Sequence, residues 1–168
     1  VRTLPGEGVA DVISAAHRLS DKQILIASYD RMPLALLRGA RLWQQEQQAS
    51  RLLGAMLFYP NLFGPPPMAG EEPQLDPILQ ATNIPLVIFQ PALGSQRLRL
   101  QQVIEPLWQG GSPSYVYLVP GVKDWYFMGE GVHGSKEQAA TDAVPRQMID
   151  FASLLAQHPP PSHAKTLQ

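Results

Sequence analysis

The stretch Gln23-Ile24-Leu25-Ile26-Ala27-Ser28-Tyr29-Asp30-Arg31-Met32-Pro33-Leu34-Ala35-Leu36-Leu37 decides the fold. It opens as a short apolar run over 23–28, turns sharply at 28–31 and continues as a helix. Pro33 suits the first turn of that helix, because its missing N–H has no intrahelical partner there. Leu34, Leu37, Ala40 and Leu42 or Trp43 follow at helical spacing as the inward face. The polar 44–48 region then reads as a solvated helix end. Strand, turn and helix in this order form the unit from which α/β proteins are assembled.

Working outward, the same unit recurs. Val9, Val12, Ile13 and Ala16 place an amphipathic helix over 8–19, ahead of the first strand. Residues 52–59, Leu-Leu-Gly-Ala-Met-Leu-Phe-Tyr, read as a second buried strand closed by Pro60. A Pro/Gly-rich loop over 61–74 contains Gly64-Pro65-Pro66-Pro67, and Asp76 with Pro77 reads as an N-cap and first helical residue. Pro85-Leu86-Val87-Ile88-Phe89 is a third strand. A helix over 95–109 offers Leu98, Val103, Ile104 and Leu107 for packing. Residues 114–119 form a fourth strand, and a helix over 137–156 carries Val144, Met148, Phe151 and Leu155 on one side. The pattern predicts an α/β fold: a mainly parallel sheet of about four strands with helices on both faces. One domain over 1–157 is expected, followed by a proline-rich tail or linker over 158–168 that begins His158-Pro159-Pro160-Pro161.

Composition narrows the function classes. With 168 residues, 45% of them hydrophobic, the chain can bury a proper core. A formal net charge of −1 gives no electrostatic footprint for nucleic acid or an anionic membrane surface. No apolar run reaches the ~18–20 residues that cross a bilayer, so no membrane insertion is expected. The first residues lack the charged and apolar segments of a signal peptide. The absence of cysteine excludes disulfides and thiolate metal sites. Histidines are scattered at 17, 133, 158 and 163, and no Gly-x-Gly-x-x-Gly or phosphate-binding loop is present. No metal and no dedicated cofactor are expected, and nothing indicates a compartment.

From about residue 9 to residue 156, the order of these elements resembles the C-terminal part of an α/β-hydrolase. In that family the strand-turn-helix carries the nucleophile elbow, Gly-x-Ser-x-Gly, whose small residues let strand and helix approach closely. Ala27 and Arg31 fill the glycine places, with Tyr29 at the nucleophile position and Ser28 just before it. The strand 85–89 resembles the one that ends near the catalytic acid. Here it runs on as Gln90-Pro91-Ala92-Leu93-Gly94-Ser95, without an acid. Leu118-Val119-Pro120-Gly121 resembles the last strand and the loop that presents the catalytic His, and Asp124 stands near that place. The resemblance implies the hydrolase fold with its triad chemistry abandoned: a catalytically degenerate domain with an interaction or assembly role. Family members carry several strands before the elbow, whereas one helix precedes it here, so the domain is expected to belong to a larger protein.

Two alternatives keep chemistry or binding at the site. If the turn is shifted by one residue, Ser28 is the nucleophile of a serine hydrolase with a displaced triad. His133 is then its only base, since His17 lies on the first helix and His158 and His163 in the tail. Asp76 follows in the correct chain order, although helix capping is its simpler role. Alternatively, the chain is a small-molecule binding module that reuses the old pocket through Tyr29, Asp30 and Asp124, at strand ends where open α/β sheets place ligands. Against this, Asp30 has a plain role as cap of the following helix, and Tyr29 as packing beneath the loop. The aromatic segment 124–128 is either a recognition surface or a loop folded back on the sheet end. Finally, Ile24-Leu25-Ile26 contains no Lys or Pro and makes a poorly protected edge, so self-association or contact with another protein domain is expected along 23–28 or its flanking helices.

Overall fold

Four apolar segments pair as one parallel sheet: β1 (Ile24–Tyr29), β2 (Leu52–Phe58), β3 (Leu86–Pro91) and β4 (Ser114–Val119), in the spatial order β1-β2-β3-β4. The computed structural model describes residues 6–46, 52–127 and 134–158. Parallel neighbours need crossovers, and α2 (Met32–Glu46), α3 (Ile78–Ala81) and α4 (Leu100–Gly110) lie in them, flanked by α1 (Glu7–Leu19) and α5 (Ser135–Leu155). The central strands β2 and β3 are buried on both faces, which is why they read as continuous apolar runs rather than as alternation.

Each face of the sheet has its own core. On one, Leu57 and Ile88 meet Ile13 of α1, Leu37 and Trp43 of α2 and Leu107 of α4. On the other, Met56, Phe58, Val87 and Phe89 lie beneath Val144, Met148, Phe151 and Leu155 of α5. Phe58 and Phe89 stack at 4.4 Å across the β2–β3 pair. Helices therefore cover both faces, as the sequence predicts.

Three local readings are corrected by packing. Leu98 is 92% exposed. Its segment is not α-helix: Gly94 N–H donates to Pro91 O, and a 3-10 turn over Arg97–Arg99 delays the helix to Leu100. Gln44 is buried rather than solvated, because the end of α2 lies against the loop before β3 and its Nε2 donates to Asn83 Oδ1 at 3.2 Å. The final helix begins at Ser135, where the Glu137 carboxylate accepts from Gly134 N–H at 3.0 Å. Beyond α5, His158 Nε2 is hydrogen-bonded to Tyr115 OH. The proline-rich stretch from 159 onward lies outside the described residues.

Gly54 carries a feature the apolar run conceals. Register with β1 slips at this point, Ile24 pairing with Leu52 and Leu25 with Gly54. The extra residue makes both Leu52 and Ala55 face the α1–α4 core, although strict alternation would send them to opposite faces. Gly54 has φ 152°, and a Cβ there would stand 2.4 Å from Pro85 O. Gly54→Ala is expected to destabilise the fold by roughly 2–4 kcal/mol, through backbone strain and displacement of β3. Urea unfolding of the purified variant measures it, and a loss under about 0.5 kcal/mol would show that the bulge is unimportant.

Tyr126 is 2% exposed, and its hydroxyl has no hydrogen-bond partner. Burial, then the nearby Tyr117, push its phenol up to about 12. Above pH 10 the unfolded chain releases this proton while the folded chain holds it, so stability falls as pH rises from about 10 to about 12, by up to ~1.4 kcal/mol per pH unit. Tyr126→Phe should reduce that loss while leaving stability at pH 7 nearly unchanged, as read from denaturant midpoints at pH 7 and pH 11.

Candidate functional site

The carboxyl ends of the strands are laced together beyond the sheet itself. Asp30 N–H donates to Phe58 O at 3.2 Å, and Asn61 N–H donates to Asp30 O at 2.7 Å. Tyr59 N–H reaches Phe89 O at 2.8 Å, and Ala92 N–H reaches Val119 O at 2.9 Å. Four turns from distant parts of the chain are thereby fixed side by side, at the end of a parallel sheet where ligands bind.

At the first turn the unusual backbone falls on Asp30. β1 continues through Tyr29, which pairs with Phe58, and Asp30 then adopts φ 54° before α2 begins at Met32. Aspartate tolerates the left-handed region better than most residues, but the conformation still carries strain of the kind found at functional turns. The sharp point of the elbow is therefore one residue later than Tyr29. Tyr29 itself is 36% exposed and lies edge-on to Trp125 and Phe127, each at 6.4 Å.

On the opposite side, Asp124 is held by Ser95, whose N–H and Oγ donate to Oδ2 at 3.0 and 2.8 Å. Gly94 lies directly against this pair. A Cβ at position 94 would stand 2.3 Å from Asp124 Oδ1 and 2.7 Å from Gln90 Nε2, so any larger residue must push Asp124 aside. The aromatic segment folds back on the sheet end: Tyr126 is buried and Phe127 is half-buried against Phe58, while Trp125, with φ 67°, remains 48% exposed.

Between Asp30 and Asp124 lies a cleft of about 430 Å³, walled also by Tyr59, Ser95, Gln96 and Trp125. Tyr59 is only 3% exposed, and its hydroxyl lacks a partner, as do Gln96 Oε1 and Asp124 Oδ1. Behind them Gln90, fully buried, leaves its Oε1 unmatched. Burial, then Asp30, Tyr29 and Asp124, hold the Tyr59 phenol well above its ordinary range. Tyr59 adopts φ 36° to enter this position.

Of the residues singled out in the sequence, Asp30 and Asp124 both line the cleft, and Tyr29 stands in the aromatic group beside it. Ser28 Oγ is buried without a partner and is not part of the cleft wall. Asp76 belongs to a neighbouring cleft of about 500 Å³ that contains Arg31, Arg38 and Arg99. There its carboxylate pairs with Arg38, and Oδ1 accepts from Ile78 N–H at 3.0 Å, capping α3. His133 lies outside the described residues. His17 packs against Trp43 at 5.8 Å, and His158 against Tyr115, both on other parts of the molecule. Among the described residues, no three His, Cys, Asp or Glu side chains gather to hold a metal ion. Sequence reading missed Tyr59, Gln96 and the Ser95–Asp124 contact. Only the position of Tyr59 at a strand end, just before Pro60, could have signalled the first.

No family profile and no curated protein matches the chain. Among solved structures, it is similar to "Putative Dienelactone Hydrolase from Klebsiella pneumoniae subsp. pneumoniae MGH 78578", with TM-score 0.60 and 14% identity over 89% of this chain and 61% of that one. Thermogutta terrifontis esterase 2 in its apo form gives TM-score 0.47 and 14% identity over 88% of this chain and 63% of that one. The same esterase phosphonylated by cyclosarin gives TM-score 0.48 and 15% identity, over 88% and 62%. The chain thus spans about three fifths of the length of these structures. At such low identity the first likeness speaks for fold alone. Four parallel strands in consecutive order among the described residues, helices on both faces and that overlay give the chain an α/β-hydrolase-like fold.

Proposed function

We propose that the chain is a catalytically degenerate α/β-hydrolase-like domain, part of a larger protein, whose role is interaction or assembly. The observation that carries this reading is the Ser95–Asp124 contact. Where the resemblance places the catalytic base, an aspartate is held by a serine N–H and hydroxyl, and the glycine beside it leaves no room for an acid side chain. Triad chemistry needs an imidazole that takes a proton from the nucleophile and a carboxylate that orients it. Two carboxylates, Asp30 and Asp124, facing one cleft do not supply that relay. At the elbow, the strained residue is an aspartate rather than the serine of a Gly-x-Ser-x-Gly turn.

A second reading keeps Ser28, Asp76 and His133 as a displaced triad, and the unpartnered Ser28 hydroxyl favours it. A fluorophosphonate probe and a short-chain ester separate the two. The expected result is no labelling and no turnover above buffer. Turnover that disappears in both Ser28→Ala and His133→Ala would replace the degenerate reading with a serine hydrolase.

Support for assembly comes from the edge of the sheet. Among the described residues β1 pairs only with β2, and its other edge over Ile24-Leu25-Ile26 carries no Lys or Pro to blunt it. Pairing of that edge with a second copy, or with another domain, would satisfy its backbone groups and continue the sheet. Sedimentation of the 168-residue chain should show a dimer or larger species, with amides of 24–26 protected from exchange. A monomer at high micromolar concentration with fast exchange at those amides would refute self-association.

A further inference from the structure

We propose that the cleft between Asp30 and Asp124 binds a small organic cation. Its ammonium group would donate hydrogen bonds to the two carboxylates, and its apolar part would rest against Trp125. The inference concerns a different surface from the β1 edge and stands independently of the assembly reading.

Three features of the cleft select this chemistry. The first is charge. Among the described residues, Asp30 and Asp124 stand in the wall with Arg31 as the only formal cation, so these residues carry one excess negative charge. The second is the set of orphaned atoms. Asp124 Oδ2 is occupied by Ser95, but Oδ1 has no donor, and Gln96 Oε1 has none either. Tyr59, a 3% exposed residue of the same wall, has a buried hydroxyl without a partner. Two of these three atoms can only accept, and the third can do so. A buried acceptor without a donor costs about 1–3 kcal/mol, and a ligand rich in N–H groups recovers part of that. An anion or a plain carbonyl would add further acceptors to the set.

The third feature is the half-exposed indole of Trp125, which packs on Tyr59 at 5.3 Å and forms the outer wall. An exposed indole offers a large apolar surface on which the hydrophobic part of such a ligand can pack. A metal ion fits less well, because the described residues provide two carboxylates and no third His, Cys, Asp or Glu. The volume of about 430 Å³ suits a small molecule rather than a peptide segment. A primary amine with a hydrophobic substituent meets all three conditions.

Benzylamine, benzyl alcohol and sodium benzoate present the same ring with a cation, a neutral group and an anion. Each is titrated into the 168-residue chain at pH 7 by calorimetry, and the indole N–H signals of Trp43, Trp108 and Trp125 are followed in parallel. Saturable binding of benzylamine is expected, weakening as NaCl is raised, with a shift confined to the Trp125 signal, which Trp125→Phe identifies. Asp30→Asn keeps side-chain size and tolerance of positive φ, and should weaken benzylamine roughly tenfold or more without shifting thermal unfolding. The proposal is overturned by any of four results: no saturable benzylamine binding, benzoate or benzyl alcohol binding equally well, unchanged affinity in Asp30→Asn, or calcium chloride alone producing the same Trp125 shift. If Asp30→Asn fails to fold, the three-probe comparison and the Trp125 signal in the unsubstituted chain still decide.

Discussion

The β2–β3 pair holds both the cores and the site in place. Its strands share the register Ala55↔Leu86 to Phe58↔Phe89, are buried on both faces and stack two phenylalanines across the ladder. Because the pairing is parallel, every strand delivers its carboxyl end to the same side. The bonds from Tyr59 N–H to Phe89 O and from Asn61 N–H to Asp30 O then extend the ladder into the turns. A one-residue slip of β2 would exchange its two buried faces and also carry Tyr59 out of the cleft. Core and site therefore depend on a single register, and Gly54 is where that register is set.

Much of this was legible because apolar content and punctuation agree. Prolines and glycines bound each strand, and the central strands are apolar without interruption, as burial on two faces demands. What escaped was governed by contacts distant in sequence. Whether 52–58 contains a bulge depends on the closeness of Pro85, which no local pattern reports. Leu98 has the hydrophobicity of a core residue, yet the anchoring of Ser95 to Asp124 holds its segment in turns. Gln44 looked solvated because its partner, Asn83, lies 39 positions away.

The elbow shows the same division at finer scale. That a strand, a sharp turn and a helix occupy 24–46 could be read from spacing, but the strained residue could not. Both Tyr29 and Asp30 can end a short edge strand, and only the pairing of Tyr29 with Phe58 moves the left-handed residue to Asp30. Of the site, the two aspartates and Tyr29 were visible as residues at strand ends. The hydroxyl of Tyr59 and the amide of Gln96 were not, since their significance lies in having no partner once buried.

Two clefts of opposite character meet at this end of the sheet. One is walled by Asp30 and Asp124. The other contains Arg31, Arg38 and Arg99, with Arg38 already neutralised by Asp76. Arg31, Asn61 and Gln96 contribute to both walls, so the clefts adjoin. A nucleophile elbow works by aiming one reactive atom at one electrophile, with preorganised donors around the developing negative charge. Arg31 stands in both walls and Asp76 in the second, so each cleft carries charges of both signs, with carboxylates in excess in the first and guanidinium groups in the second. The left-handed backbone at Asp30 places this residue in the wall of the first cleft, at the turn that joins β1 to α2.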